Sequence, residues 1–128
     1  MDQRTGEHLD IAARNQKLAR DLLALAAPGA LQPPPYEWIA VIAFYSALHY
    51  VDAYLWEILQ RETRSHPRRA AWVRQDRGLN PCTGEYHRLW NAGGSARYDR
   101  GFSVPAFEAD ELVNVDLATV ERVVRAAL

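Results

Sequence analysis

Hydrophobic residues recur along most of this chain at spacings of three and four, which is typical of helices that bury one face. The first such segment covers residues 7–26, with Thr5 as its predicted N-terminal cap. The Pro28-Gly29 pair ends this helix, and three consecutive prolines at 33–35 keep the chain non-helical until the next segment.

The second predicted helix starts at residue 35 or 36, ends near residue 61 and is apolar on nearly every side, so we expect it at the centre of the fold. Its middle, FYSALHYVDAY, nevertheless keeps His49 and Asp52, three positions apart on one face. Both side chains are costly to bury without partners. At 100° per residue they share a narrow stripe with three aromatic residues, Trp38, Tyr45 and Trp56.

The rest of the chain predicts two more long helices and a short one. In chain order the segments are a turn at 62–68, a short helix near 68–77, a loop at 77–84, a helix near 85–98 and a helix near 109–128. The Gly93-Gly94 pair inside the fourth helix indicates a close approach of another backbone or a local break. The predicted fold is all-α: an antiparallel up-and-down bundle of four main helices plus one short helix.

The composition is that of an ordinary globular protein, since 48% of the 128 residues are hydrophobic and 24% are charged. This length predicts one domain, with the first helix and a proline-rich linker in residues 1–34 and the other helices in 35–128. The net charge of −1 gives no overall attraction to nucleic acid. A polar N-terminus, and a longest apolar run (38–48) about half as long as a membrane span, favour a cytoplasmic protein with no membrane association.

Metal and thiol chemistry find little support in the sequence. Cys82 is the only cysteine, so there is neither an internal disulfide nor a thiolate cluster, and an incidental thiol is its expected role. The four histidines show no H-E-x-x-H spacing, and no glycine-rich phosphate loop follows a strand. We therefore expect no metal and no cofactor.

A second polar group, SARYD (95–99), ends the fourth predicted helix. If this helix neighbours the second one, Arg97 can pair with Asp52, since a buried carboxylate needs a charged or hydrogen-bonded partner. The predicted polar seam consists of Tyr45, His49, Asp52, Arg97, Tyr98 and Asp99. It is either a satisfied polar contact in the core or between subunits, or part of a binding or catalytic pocket. A surface ion pair within the fourth helix is the alternative role for Arg97.

Positive charge concentrates in residues 61–77, which contain six arginines and only two acidic residues, a local net charge of +4. The predicted basic patch consists of Arg64, Arg68, Arg69, Arg74, Arg77 and the aromatic Trp72. Clustered arginine beside an aromatic ring suits RNA or phosphate. The alternative is that this segment and the acidic C-terminal segment 108–128 are solvated faces of one bundle, or pair across a dimer.

These segments, in this order, resemble the HEPN superfamily (higher eukaryote and prokaryote nucleotide-binding domain). The resemblance covers residues 36–128 and rests on FYSALHYVDAYL, on the histidine turn TRSHPRRAAWV, on ARYD and on the C-terminal VDLATVERVVRAAL. Many relatives have an arginine followed by an Asp-Tyr pair where this chain has Tyr98-Asp99. The resemblance implies an antiparallel helical bundle that dimerises.

Members of this superfamily act as ribonuclease toxins, as partners of small nucleotidyltransferases, or as non-catalytic binding modules. The ribonucleases carry an arginine and a histidine with four to six residues between them, and Arg61 and His66, with four residues between, have that spacing. In those enzymes the motif opens a later helix, whereas here it spans the turn after the second helix.

Three functions follow as hypotheses. The first is a dimeric, non-catalytic module that binds a nucleotide, RNA or a partner such as a nucleotidyltransferase or antitoxin, in a toxin–antitoxin or defence setting. The second is a metal-independent endoribonuclease in which His66 acts as general acid or base and Arg61 stabilises the transition state. The third is a structural bundle that binds another protein through exposed aromatic residues.

Overall fold

A computed structural model describes residues 1–98 and 103–128, the side chains of Arg97 and Tyr98 excepted. All regular structure in this part of the chain is helical, which confirms the predicted all-α bundle. The elements are α1 (Gln3–Ala26), α2 (Tyr36–Leu59), α3 (His66–Gln75), a 3-10 turn (Asn80–Cys82), α4 (Thr83–Tyr98), α5 (Ala106–Glu111), a π-helical segment (Leu112–Leu117) and α6 (Ala118–Ala127).

Side-chain caps set the starts of α1 and α3, and both helices begin earlier than the hydrophobic pattern predicts. Asp2 accepts a hydrogen bond from the Arg4 backbone N at 2.8 Å and starts α1, so the prediction of Thr5 as the cap is wrong. Thr5 is buried within the first turns instead. Ser65 accepts a hydrogen bond from the Arg68 backbone N at 3.2 Å and starts α3.

The apolar helix α2 lies at the centre, as predicted, and packs against α1, α4 and α6. Phe44, Tyr50 and Leu55 on it are almost fully buried. By length and composition α2 is also able to cross a membrane, but 72% of the relevant stretch is buried inside the bundle, so this is weak evidence for a span. Core helices of globular proteins have the same character.

Helices α1 and α2 run antiparallel, and hydrogen bonds from side chains set their register. Trp56, near the end of α2, donates to Asp2 at the start of α1. Ser46, earlier on α2, donates to the carbonyl oxygen of Ala12 at 2.7 Å. This register places His49 of α2 opposite His8 of α1.

Gly93 allows α4 to approach α2 closely. A Cβ atom at this position would lie 2.5 Å from Cβ of Phe44 and 3.2 Å from the carbonyl oxygen of Ala40. The predicted close backbone approach is confirmed here. Gly94 has no such neighbour, because the nearest atom to its hypothetical Cβ is a Trp90 ring carbon of the same helix at 3.9 Å.

The C-terminal helix starts at Ala106, three residues before its predicted start, and continues through the π-helical segment into α6. A π-helical turn shifts the register of the side chains that follow it. Within this segment the buried Asp116 accepts hydrogen bonds from Arg88 of α4, the shorter at 2.9 Å.

Candidate functional site

A cavity of about 560 Å³ opens between the start of α1, the middle of α2, the turn after α2 and the start of α3. Tyr45 and Leu48 of α2 contribute to its wall. Its ionisable lining residues are His8, Asp52, Glu62, Arg64, His66 and Arg69. We call this space the α1–α3 cavity.

An ion pair between Asp52 and Arg69 forms one wall of the α1–α3 cavity. Arg69 Nε donates to Asp52 Oδ1 at 2.7 Å and Arg69 Nη2 to Oδ2 at 3.4 Å, and their side chains are only 4% and 15% exposed. The guanidinium also donates to the carbonyl oxygen of Thr63 at 2.6 Å. These bonds satisfy the charges where solvent is largely excluded, as a buried pair requires.

Asp52 therefore has the arginine partner that the sequence predicts, but this partner is Arg69 of α3. The sequence analysis gave that role to Arg97, whose side chain lies outside the described residues, as do Asp99 and the side chain of Tyr98. Arg69 reaches Asp52 because the turn after α2 brings the start of α3 alongside α2, a placement that helical periodicity does not reveal.

Only part of the predicted basic patch is exposed to solvent. Arg69 is buried, so its inclusion in an exposed patch is wrong. Trp72 is half-buried and packs against the core, which leaves less of its ring for stacking on a base. The four exposed members are Arg64, Arg68, Arg74 and Arg77.

Two histidines face each other at the α1–α2 contact. Nδ1 of His8 lies 3.0 Å from Nδ1 of His49, and the ring centroids are 5.3 Å apart. Such a contact needs a proton on one of the two nitrogens and a lone pair on the other. Burial lowers the pKa of His49 below its ordinary 6.5, and the nearby His8 lowers it further, against the opposing effect of Asp52. His49 is therefore mainly neutral at pH 7.

His8 is a member of this site that the sequence analysis missed. It lies 41 positions before His49, on a predominantly polar helix, so no local pattern connects the two. The ligating atoms of His8, His49 and Asp52 all lie within 4.8 Å of one another. That grouping was not predicted either, because the sequence search covered only short metal-ligand motifs.

His66 lies against aromatic rings at the base of the α1–α3 cavity. Its ring centroid is 5.4 Å from that of Phe44 and 6.4 Å from that of Tyr45, with the Tyr45 ring edge-on. Arg69 Nη1 approaches His66 Nδ1 at 3.4 Å. The structure thus brings Tyr45 of the predicted polar seam together with His66 of the ribonuclease-like motif.

The Arg61 and His66 of the ribonuclease-like motif occupy different surroundings. His66 lines the α1–α3 cavity, whereas Arg61 is exposed and lies outside the residues described as its lining. The arginine from this turn that lines the cavity wall is Arg64. Glu62, between them in sequence, pairs with Arg4 of α1 at 3.3 Å.

The lone thiol takes no part in this site. Cys82 is buried, and its Sγ donates to the carbonyl oxygen of Leu79 at 3.2 Å. Burial raises the pKa of this thiol to about 12, so it stays protonated at neutral pH and is a poor nucleophile.

Comparison of the chain with protein-family models, with curated proteins and with solved structures gives no significant match.

Proposed function

We propose that this chain is a HEPN-like, dimeric and non-catalytic module that binds RNA or a nucleotide at the α1–α3 cavity. The observation that carries the proposal is the position of Arg64. It is exposed at the cavity wall and has no ion-pair partner among the described residues. Both carboxylates of the same wall are already paired.

The pairing leaves the cavity with a surplus of hydrogen-bond donors for an anion. Arg69 neutralises Asp52, and Arg4 pairs with Glu62. Arg64 remains as an available guanidinium, with His8 beside it in the lining as a possible donor. A guanidinium binds phosphate oxygens in a two-pronged geometry, which makes phosphate a better match for Arg64 than an apolar ligand.

Three further exposed arginines follow Arg64 in the sequence. Arg68 and Arg74 lie on α3, and Arg77 follows it. Along a polynucleotide, each phosphate contact adds affinity that does not depend on sequence and weakens with salt. The number of exposed arginines in this segment therefore favours single-stranded RNA over a mononucleotide.

Dimerisation, a cytoplasmic location and a partner such as an antitoxin or a nucleotidyltransferase belong to the same proposal. They rest on the resemblance of FYSALHYVDAYL, TRSHPRRAAWV and ARYD to the HEPN superfamily. Sedimentation of the purified protein tests the first of these features: a species of twice the chain mass is expected, and a monomer at high concentration contradicts it.

The binding test compares two arginine variants on a fluorescent single-stranded RNA. Arg64→Ala should weaken binding at least tenfold, about 1.4 kcal/mol. It should also reduce the slope of log affinity against log salt concentration by about one. Arg20→Ala is the matched control, since Arg20 is also exposed but lies about 18 Å along α1 from His8. Equal affinity of both variants and the parent would contradict the proposal.

An endoribonuclease is the second candidate, and the observation that favours it is the presence of His66 in the α1–α3 cavity. A histidine there can act as general acid or base toward a bound phosphodiester, with an arginine stabilising the transition state. It predicts RNA products with 2′,3′-cyclic phosphate ends. Loss of cleavage in both His66→Ala and Arg61→Ala would support the sequence-predicted pair. RNA that stays intact with the parent protein would exclude an endoribonuclease.

The structural bundle is the third candidate. Trp38 and Phe107 are 65% and 70% exposed, and exposed aromatic side chains are enriched at protein interfaces. Co-purification of a protein partner that is lost in Trp38→Ala, together with no affinity for RNA, would favour it over the first two.

A further inference from the structure

We infer that His8, His49 and Asp52 form a binding site for a divalent transition-metal ion of the zinc type, open toward the α1–α3 cavity. The three residues meet at the contact between α1 and α2, and their ligating atoms lie within 4.8 Å of one another. Two imidazole nitrogens and one carboxylate oxygen are a common ligand set for zinc.

The separation of the two imidazole nitrogens suits a shared ion. The Nδ1 atoms of His8 and His49 lie 3.0 Å apart. Two nitrogens bound to one tetrahedral zinc ion at about 2.0–2.1 Å lie ~3.3 Å apart. A change of a few tenths of an ångström therefore converts the histidine contact into a pair of ligands, and the ion takes the place of the proton between them.

Asp52 supplies the third ligand while it keeps its arginine. Its Oδ1 is held by Arg69 Nε at 2.7 Å, but its Oδ2 has only the long contact of 3.4 Å to Nη2. An ionised carboxylate offers about four lone-pair positions, so Oδ2 can bind an ion while Oδ1 stays paired. Arg69 then orients the ligand from behind, as hydrogen-bonded partners of ligating carboxylates do.

The fourth coordination position is open. His8 and Asp52 both line the α1–α3 cavity, so an ion bound between them faces its interior. Zinc sites with three protein ligands keep a fourth position for water or another small ligand. Because His8 belongs to α1 and the other two ligands to α2, the ion would also link the two helices.

Zinc affinity of the untagged, chelator-treated protein tests the inference. Competition with a chromophoric chelator should show one equivalent of Zn²⁺ bound, and Co²⁺ should give the visible absorption of a four-coordinate ion. His8→Ala and His49→Gln should each lower the zinc affinity at least tenfold. His87→Ala is the control, because His87 is exposed on α4 and lies outside the cavity lining.

Thermal unfolding separates loss of the site from loss of the fold. Zn²⁺ should raise the Tm of the parent and of His87→Ala, and should leave that of His8→Gln, a variant that keeps a polar side chain, unchanged. The inference is overturned if the parent binds no zinc, or if His8→Ala or His8→Gln binds it as the parent does. It does not depend on the proposed function, since Arg64→Ala leaves all three ligands in place.

Discussion

Two aspartates of the described residues, Asp52 and Asp116, each pair with an arginine, and their surroundings differ sharply. At the α1–α3 cavity, Asp52 and Arg69 are both largely removed from solvent, with side chains 15% and 4% exposed. Between α4 and the π-helical segment, Asp116 is 4% exposed but its partner Arg88 is 59% exposed. The first pair is enclosed on both sides, and the second has one member in solvent.

The difference indicates what each pair does for the fold. Arg69 makes bonds to α2 through Asp52 and to the turn through Thr63, so one buried guanidinium holds α3 and the turn over α2. Arg88 also links two elements, α4 and the π-helical segment, but its described hydrogen bonds go to Asp116 alone and it is largely in solvent. Asp52 is therefore part of the framework that shapes the cavity wall, besides any direct contact with a ligand.

The largest effect is expected for Arg69→Ala. The substitution leaves the Asp52 carboxylate and the Thr63 carbonyl oxygen without their donor in a largely buried position, and breaking a buried pair in this way costs about 3–5 kcal/mol. The free energy of unfolding from chemical denaturation measures it. A loss below about 1 kcal/mol, typical of a surface pair, would contradict the enclosed character of this site.

A smaller effect is expected for Arg88→Ala. Asp116 loses its partner, but solvent can replace an arginine that is itself 59% exposed. The expected loss is about 1–2 kcal/mol, within the range for a buried acceptor that loses one hydrogen-bond partner. If Arg88→Ala proved as destabilising as Arg69→Ala under the same denaturant conditions, the expected difference between the enclosed and the exposed pair would be contradicted.

The smallest effect is expected for Glu121→Gln, at a half-buried carboxylate on α6. Burial alone would raise the pKa of Glu121, but hydrogen bonds from Gln16 and Arg125 outweigh burial and hold it below its ordinary 4.5. A depressed carboxyl pKa stabilises the fold above pH 4.5, and this contribution is lost as the pH falls below that value.

Glu121→Gln should therefore cost about 1 kcal/mol at pH 7 and leave a shallower decline of stability in acid than the parent shows. Unfolding free energies measured from pH 7 down to the acid transition give both quantities. A parent and a variant with parallel acid profiles would show that Glu121 does not contribute in this way.

Much of the fold could be predicted from the sequence because the helices are strongly periodic and punctuated by proline and glycine. Both ends of α2 and the start of α4 fall within two residues of the predicted positions. The close approach at Gly93 was predicted from the glycine pair alone. The start of α1 is four residues earlier than predicted because its cap, Asp2, lies outside the apolar pattern.

The site was harder to predict because it depends on contacts between segments distant in sequence. An aspartate inside an apolar helix implies a buried partner, but whether that partner is Arg69 depends on how the turn after α2 places the start of α3. In the same way, a run of arginines predicts positive charge, but not that Arg69 turns inward while Arg64 stays exposed. The role of His8 could not be predicted, because its contact with His49 arises only where α1 packs against α2.

The most direct test of the central claim, that the α1–α3 cavity binds RNA or a nucleotide, is an NMR titration of the four histidine rings with single-stranded RNA. His8 and His66 line the cavity, whereas His87 is exposed on α4 outside that lining. We predict that the His8 and His66 ring resonances shift with saturating RNA and that the His87 resonances do not. Unchanged His8 and His66 resonances at RNA concentrations that saturate the protein would contradict the claim.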